Sequence, residues 1–107
     1  MKGMGGGMQQ MMRQANQMQN KMKKLQEELA QTEFEGSAGG GAVTVKVTGA
    51  NVVASITISP DVFSDGDAEI LQDLVLAATN DALKTAKTTS DAEMSKITGG
   101  LGGLGLF

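Results

Sequence analysis

The sequence contains no cysteine, histidine, tryptophan or tyrosine, and its only aromatic residues are three phenylalanines. Without thiols and imidazoles the chain has no disulfide, no thiolate or histidine nucleophile and no zinc site of the ordinary kind. The hydroxyls, amines and carboxylates that remain form no recognisable catalytic arrangement. We therefore expect a protein that is not an enzyme and that uses no cofactor, no metal and no small-molecule substrate.

Long apolar runs are missing as well. The longest run, residues 74–78, is far shorter than the roughly 20 residues that a membrane-spanning helix needs. Lys2 is followed by glycine and methionine rather than by an apolar segment, so no secretory signal is expected. These absences predict a cytoplasmic protein without membrane contact, and a length of 107 residues predicts one domain, 1–107.

A regular apolar ladder stands near the start of the chain, with alternating steps of three and four residues. It predicts a helix over residues 8–32, roughly 37 Å long at about 1.5 Å per residue. The flanking side chains are nearly all polar, so the narrow stripe needs a second helix, and another copy of the chain is the expected partner. We call these residues the seam: Met8, Met11, Ala15, Met18, Met22, Leu25 and Leu29.

Charge is distributed unevenly around a net value of −3. Residues 1–32 hold five cations and two carboxylates, a net charge of +3, whereas residues 33–107 hold four lysines and ten acids, a net charge of −6. A basic arm on an acidic body is typical of proteins that contact nucleic acid or another acidic surface. The alternative interpretation is that the lysines of the arm only solvate a coiled coil and pair with Glu27 and Glu28.

Three short segments have the pattern of strands. Residues 34–38 follow the first helix, residues 42–48 alternate valine with polar residues, and residues 52–59 end at Pro60. Val43, Val45 and Val47 are expected on one buried face, and Ala54, Ile56 and Ile58 on one face of the next strand. The glycine-rich connections predict an antiparallel meander.

A second helix is expected after a loop, with Ser64 or Asp65 as its N-cap and its end near residue 87. Leu76 and Leu83 lie on its polar side, which predicts a dimer contact unless they are ordinary exposed leucines. The segment that begins at Ser90 has the pattern of a capping box and predicts a short terminal helix. The core stripe of the second helix is Leu71, Leu74, Val75, Ala78, Ala82 and Ala86.

Together these elements predict an α+β fold with a long N-terminal helix, a three-stranded antiparallel sheet, a packed C-terminal helix and a short terminal helix. The expected organisation is a flexible N-terminus (1–7), a helical arm (8–32), a sheet-and-helix body that forms the dimer (33–98) and a glycine-rich tail (99–107).

The order of these motifs resembles the YbaB/EbfC family of bacterial nucleoid-associated proteins. The resemblance rests on the methionine- and glutamine-rich heptad helix followed by FEGSAGGGAVTVKVTG, ISPDV, ILQDLVLAATNDALKTA and MSKITGGLGG. It implies a homodimer in which the central sheets and helices associate while the long helices project as paired arms. It also implies binding to double-stranded DNA in the nucleoid of the cytoplasm, without catalysis, and an effect on chromosome organisation or gene expression.

If the chain binds DNA, its cations are the expected phosphate contacts. The modest number of arm cations and the acidic body predict weak, salt-sensitive binding. The scarcity of aromatic residues disfavours single-stranded binding by base stacking. The candidate DNA-binding residues are Arg13, Lys21, Lys23 and Lys24 on the arm, with Lys84 and Lys87 as secondary candidates near the expected end of the second helix.

One alternative function remains open from the residues alone. Methionine surfaces adapt to varied partners, so the seam is also suited to a non-catalytic protein-interaction module that grips a helix of another protein. A copper(I) site built from the thioethers is disfavoured, because most of these methionines are already explained by the seam.

Overall fold

The computed structural model describes residues 2–64 and 67–102, and it describes side chains from Gly7 onward except at 64 and 99–102. Three helices and three strands follow one another along the chain. The bounds are α1 Lys2–Gln31, β1 Glu33–Ala38, β2 Val43–Thr48, β3 Val53–Ile58, α2 Pro60–Ser64 and α3 Ala68–Gly102. The predicted α+β class, with its long first helix, three-stranded sheet and C-terminal helix, is confirmed.

Helix α1 begins at Lys2 rather than at residue 8, so the predicted flexible segment 1–7 is helical from its second residue. Starting a helix is costly, whereas extending an existing one by a glycine costs only about 1 kcal/mol relative to alanine. The strong helix formers from Met8 onward can therefore start the helix, which then extends through the glycine-rich residues that precede them. Met1 lies outside the described residues.

The sheet is antiparallel in the order β1-β2-β3, as the meander predicts. Val43, Val45 and Val47 are completely buried on its inner face. Pairing between β2 and β3 shifts at Lys46/Val47, so that Val47 stands opposite Val53 and Ala54 is the extra residue of a β-bulge. The bulge brings Val53, rather than Ala54, onto the face of Ile56 and Ile58, since directly opposed residues share a face.

Helix α3 packs across β1 and β2. The predicted stripe is its buried side: Ala78, Ala82 and Ala86 are buried, and the larger residues of the stripe lie half-buried beside them. Alanines allow this helix to come very close to the sheet at Gly36, where an added Cβ would lie 2.6 Å from the carbonyl oxygen of Ala78.

The predicted short terminal helix does not exist as a separate element, because α3 runs without a break to Gly102. The boundary was expected at the Thr-Thr-Ser-Asp segment, which consists of weak helix formers but contains no proline or glycine to stop propagation. An ion pair between Lys87 and Asp91, 3.8 Å long, spans the expected break. The predicted tail from residue 99 is therefore helical as far as Gly102, and residues 103–107 lie outside the described part.

The start of α3 also differs from the prediction. The carboxylate of Asp67 accepts hydrogen bonds from the backbone N–H groups of Glu69 and Ile70, at 3.0 and 3.2 Å, so Asp67 is the N-cap. Ser64 instead ends α2, a short helix where a loop was expected. Asp65 lies outside the described residues.

Candidate nucleic-acid interface

Helix α1 projects from the body as an arm. The protein measures 78 × 22 × 15 Å and has a radius of gyration of 21.2 Å, whereas a compact chain of this length would have about 13 Å. From Gly7 to Gln17 the side chains of α1 are exposed on every side. A helix segment exposed all round adds nothing to the core, and its side chains are accessible to other molecules.

The base of the arm is fixed to the body by backbone contacts. The Gly49 N–H donates to the carbonyl oxygen of Thr32, at 3.1 Å, and the Thr32 N–H donates to that of Leu29, also at 3.1 Å. Gly49 lies directly against the Leu29 carbonyl, with no room for a Cβ. The β2–β3 turn therefore sets the direction in which the arm leaves the sheet.

The predicted arm cations Arg13, Lys21, Lys23 and Lys24 are all exposed. Arg13 and Lys24 are eleven residues apart, which places them about 20° apart around the helix and about 16 Å apart along it. Both lie on the side opposite the seam, whereas Lys23 lies between that side and the seam and Lys21 lies beside the seam. Arg13 and Lys24 thus form a ridge of positive charge that faces away from the apolar stripe, and Lys21 and Lys23 extend the positive charge around the helix.

The alternative interpretation of the arm lysines as partners of nearby glutamates finds no support in the described residues. Neither Lys23 with Glu27 nor Lys24 with Glu28 forms an ion pair there, although the spacing permits both. Lys21 and Arg13 have none within the same part of the chain. These four cations are consequently available to an external anion.

The secondary candidates on α3 are placed differently. Lys84 and Lys87 are exposed, but Lys87 is paired with Asp91. Because α3 continues to Gly102, both lysines lie in mid-helix rather than near a helix end, where the sequence had placed them. Lys87 borders an open groove of 460 Å³ beside the β2–β3 turn, floored by Leu83 and Ala86.

The seam divides into two parts. Its second part consists of Met18, Met22, Leu25 and Leu29 and is half-buried. Helix α1 contacts both α3 and β2 of the same chain. The first part of the seam, which we call the open seam, consists of Met8, Met11 and Ala15 and is exposed. The sequence could not distinguish the two parts, since the apolar ladder is continuous and α3 was expected to end before it could cover the arm.

Leu76 and Leu83 also differ from each other. Leu76 is 62% exposed, as expected of a contact residue, whereas Leu83 is half-buried and packs against the core. Their predicted role at a dimer interface stays a prediction.

The exposed arm cations make this surface a candidate for phosphate binding. Comparison with known proteins identifies the family of the chain. The model of the YbaB/EbfC DNA-binding family matches residues 4–101. The chain belongs to this family. The YbaB/EbfC match covers both the arm and the body, so the family assignment does not depend on the arm composition alone.

Relatives of similar length carry the name of nucleoid-associated proteins. One from Clostridium novyi is 55% identical over 107 aligned residues, which covers 98% of this chain and 94% of the relative. Another from Chloroflexus aurantiacus is 55% identical over 95 residues, 89% of this chain and 95% of the relative. The protein is thus a member of a nucleoid-associated DNA-binding family rather than of a known enzyme family.

The fold is shared with a solved structure. The crystal structure of an uncharacterized protein from Helicobacter pylori superposes with a TM-score of 0.64 at 22% identity, covering 78% of this chain and 87% of that one. None of the helices in the described residues has an apolar stretch long enough to cross a membrane. The same residues hold no cluster of three or more acidic side chains suited to a metal ion.

Proposed function

We propose that the protein is a homodimer that binds duplex DNA through its arms and thereby affects chromosome organisation or gene expression. The observation that carries the proposal is the ridge of exposed arm cations without ion-pair partners in the described residues, on a member of a DNA-binding family. Arg13, Lys21, Lys23 and Lys24 would contact phosphates, which supplies affinity without base specificity.

A homodimer is favoured by the contrast between the two edges of the sheet. The edge strand β1 presents Glu33 and Glu35, and its Ser37 N–H donates to the Asp81 carboxylate at 3.1 Å. Charges and satisfied N–H groups are how proteins prevent further strand pairing. Strand β1 is therefore a protected edge.

Strand β3, at the other edge, has none of this protection. Its sequence VASITI is uncharged, and α3 packs on the other two strands, so Val53 and Ile56 stay 45% and 48% exposed although they share the face of the buried valines. Exposed large apolar residues occur nearby in the chain at Val52, Phe63 and Ile70. We propose that a second copy covers this face, which would join two bodies and leave both arms free.

The arm assignment can be tested with two double variants of equal charge. Lys23→Gln/Lys24→Gln removes two arm cations, and Lys46→Gln/Lys96→Gln removes two from the body. In a DNA mobility-shift titration at low and at physiological salt, we expect the arm variant to bind at least about tenfold more weakly and the body variant to bind like the wild type. Equal losses in both variants would refute the arm as the binding surface.

The alternative function, a protein-interaction module, has the exposure of the open seam in its favour. Met8 and Met11 are 66% and 71% exposed, as a surface for a partner helix would be. The same titration separates the two functions, because binding through the seam is apolar and nearly independent of salt. A folded dimer that shifts no DNA even at low salt would favour the interaction module.

A further inference from the structure

The last part of α3 leaves the body at the same end as the arm. Leu74, in the first half of α3, lies beside Gly39 in the β1–β2 turn, whereas Ser90 lines the groove with Gly49 of the β2–β3 turn. Gly49 also lies against Leu29, near the end of α1. Helix α3 therefore passes the base of the arm, continues beyond the sheet and runs antiparallel to α1.

The part of α3 beyond the sheet is covered on one side. Met94 and Ile97 follow the groove residue Ser90 and are half-buried, whereas Met11, on the uncovered part of α1, is 71% exposed. Helix α1 leaves the body at this end and contacts α3. It is the neighbour positioned to cover these two side chains.

The cover of the seam stops where the described part of α3 stops. From Ser90 to its last residue, Gly102, α3 rises about 18 Å at about 1.5 Å per residue. The same distance measured back along α1 from Leu29 reaches Gln17. Half-burial of the seam ends at Met18. The open seam is therefore the part of the ladder that lies beyond the described end of α3.

The sequence continues an apolar ladder past this point. Residues 103–107 lie outside the described part, and residues 99–107 consist only of glycine, leucine and phenylalanine. Residues 3–12 of the arm carry no charge either, so contact between the two segments desolvates no charged group. The steps along the end of α3 are three, four and three, as in the seam, at Met94, Ile97, Leu101 and Leu104.

We propose that residues 103–107 dock on the open seam of the same chain and extend the pairing of α3 with α1 towards the tip of the arm. The segment is long enough, since five residues reach as far as about 17 Å. Met8 and Ala15, the two ends of the open seam, are about 11 Å apart along the helix. The apolar side chains available to cover it are Leu104, Leu106 and Phe107.

Docking of this segment leaves the phosphate-binding candidates accessible. Arg13 and Lys24 face away from the seam, so a docked tail does not cover them. A helix of another protein, in contrast, would have to displace the tail before it could bind Met8 and Met11. The proposal depends neither on DNA binding nor on the dimer.

Disulfide trapping tests the placement, because the chain has no cysteine of its own. Met11→Cys/Leu104→Cys puts one thiol on the open seam and one in the tail. The matched control is Gln9→Cys/Leu104→Cys, since Gln9 is exposed and lies about 160° around α1 from Met11. Non-reducing electrophoresis and peptide mass mapping during mild oxidation give the rate of each disulfide and show whether it lies within one chain.

We expect the Met11 pair to form a disulfide within one chain at least about tenfold faster than the Gln9 pair. The reason is that a docked tail keeps Leu104 near the Cα–Cα separation of below about 7 Å that a disulfide requires. Equal rates in the two proteins would overturn the proposal. Disulfides between two chains would assign the tail to a second copy and would overturn it as well.

Hydrogen exchange provides a second test in a chain without cysteines. Leu104→Asp/Phe107→Asp should release the tail, because its docking would desolvate two carboxylates. We expect the amides of residues 11–15 to exchange about tenfold faster than in the wild type. Thr88→Asp/Ser95→Asp adds the same charge at exposed positions of α3 and should leave that exchange unchanged. Equal exchange in the tail variant and the wild type would contradict docking.

Discussion

Replacing Gly36 by alanine tests the closest contact in the core. An added Cβ would lie 2.6 Å from the carbonyl oxygen of Ala78 and from the Cα of Ala82, and closer still to the Ala82 nitrogen. Ordinary contacts begin near 3.4 Å, so α3 must retreat by at least about 0.8 Å from these two atoms and by more from the nitrogen. All of these are backbone atoms, which cannot rotate away as a flexible side chain could.

The loss in the free energy of unfolding can be estimated from that retreat. A gap of 0.5–1 Å forfeits roughly a quarter to a half of the dispersion energy of each contact, and overpacking of this kind costs about 1–3 kcal/mol. We expect the free energy of unfolding to fall by about that amount, near its upper end. For a domain of this size, the melting temperature should then fall by roughly 10–25 °C.

Thermal unfolding followed by circular dichroism measures the effect, at one fixed protein concentration because dimerisation would itself stabilise the fold. Gly7→Ala is the matched control, since an added Cβ there meets nothing within 4 Å and alanine favours a helix by about 1 kcal/mol. The control should melt at the wild-type temperature or above. A Gly36→Ala protein that melts as high as the wild type would refute the close packing of β1 on α3.

Three further perturbations address the arm, the cap and the dimer. Gly49→Ala places a Cβ against the Leu29 carbonyl, so we expect the free energy of unfolding, measured in urea, to fall by about 1–3 kcal/mol. An unchanged urea midpoint would mean that the base of the arm is not held to the β2–β3 turn as described. Asp67→Ala removes the N-cap of α3 and should lower the free energy of unfolding by about 1 kcal/mol in the same assay, whereas a stability equal to the wild type would contradict that role. Ile56→Asp places a charge on the uncovered face of β3 and should give a monomer in analytical ultracentrifugation; a variant that sediments as a dimer would exclude this face as the interface.

Much of the fold could be predicted because its signals are local. The valine alternation of β2 and the alanine stripe of α3 each express one buried face, and both were located correctly. The continuation of α3 was missed because Ser90 and the residues around it have the composition of a helix start. The helix continues there because the segment contains no chain breaker, and Thr89 and Ser90 are half-buried in the folded chain. Such burial is a tertiary effect that a local pattern does not contain.

The features that position the candidate site were harder to predict from the sequence. The β-bulge at Ala54 leaves no sequence signal, and the exposure of β3 follows only from where α3 crosses the sheet. The sequence shows Gly36 and Gly49 but does not show that each lies against the backbone of a helix. The arm cations were identified by residue type and charge segregation alone, and their phosphate contacts stay a prediction.

The salt dependence of DNA affinity tests the central claim most directly. For the wild type, the logarithm of the association constant should fall linearly with the logarithm of salt concentration, with a slope of about −0.9 for each phosphate neutralised. In Lys21→Glu/Lys23→Glu/Lys24→Glu we expect DNA binding to be lost while the dimer stays intact by sedimentation. A triple variant that binds with the wild-type affinity and slope would contradict the assignment of the arm as the DNA-binding surface.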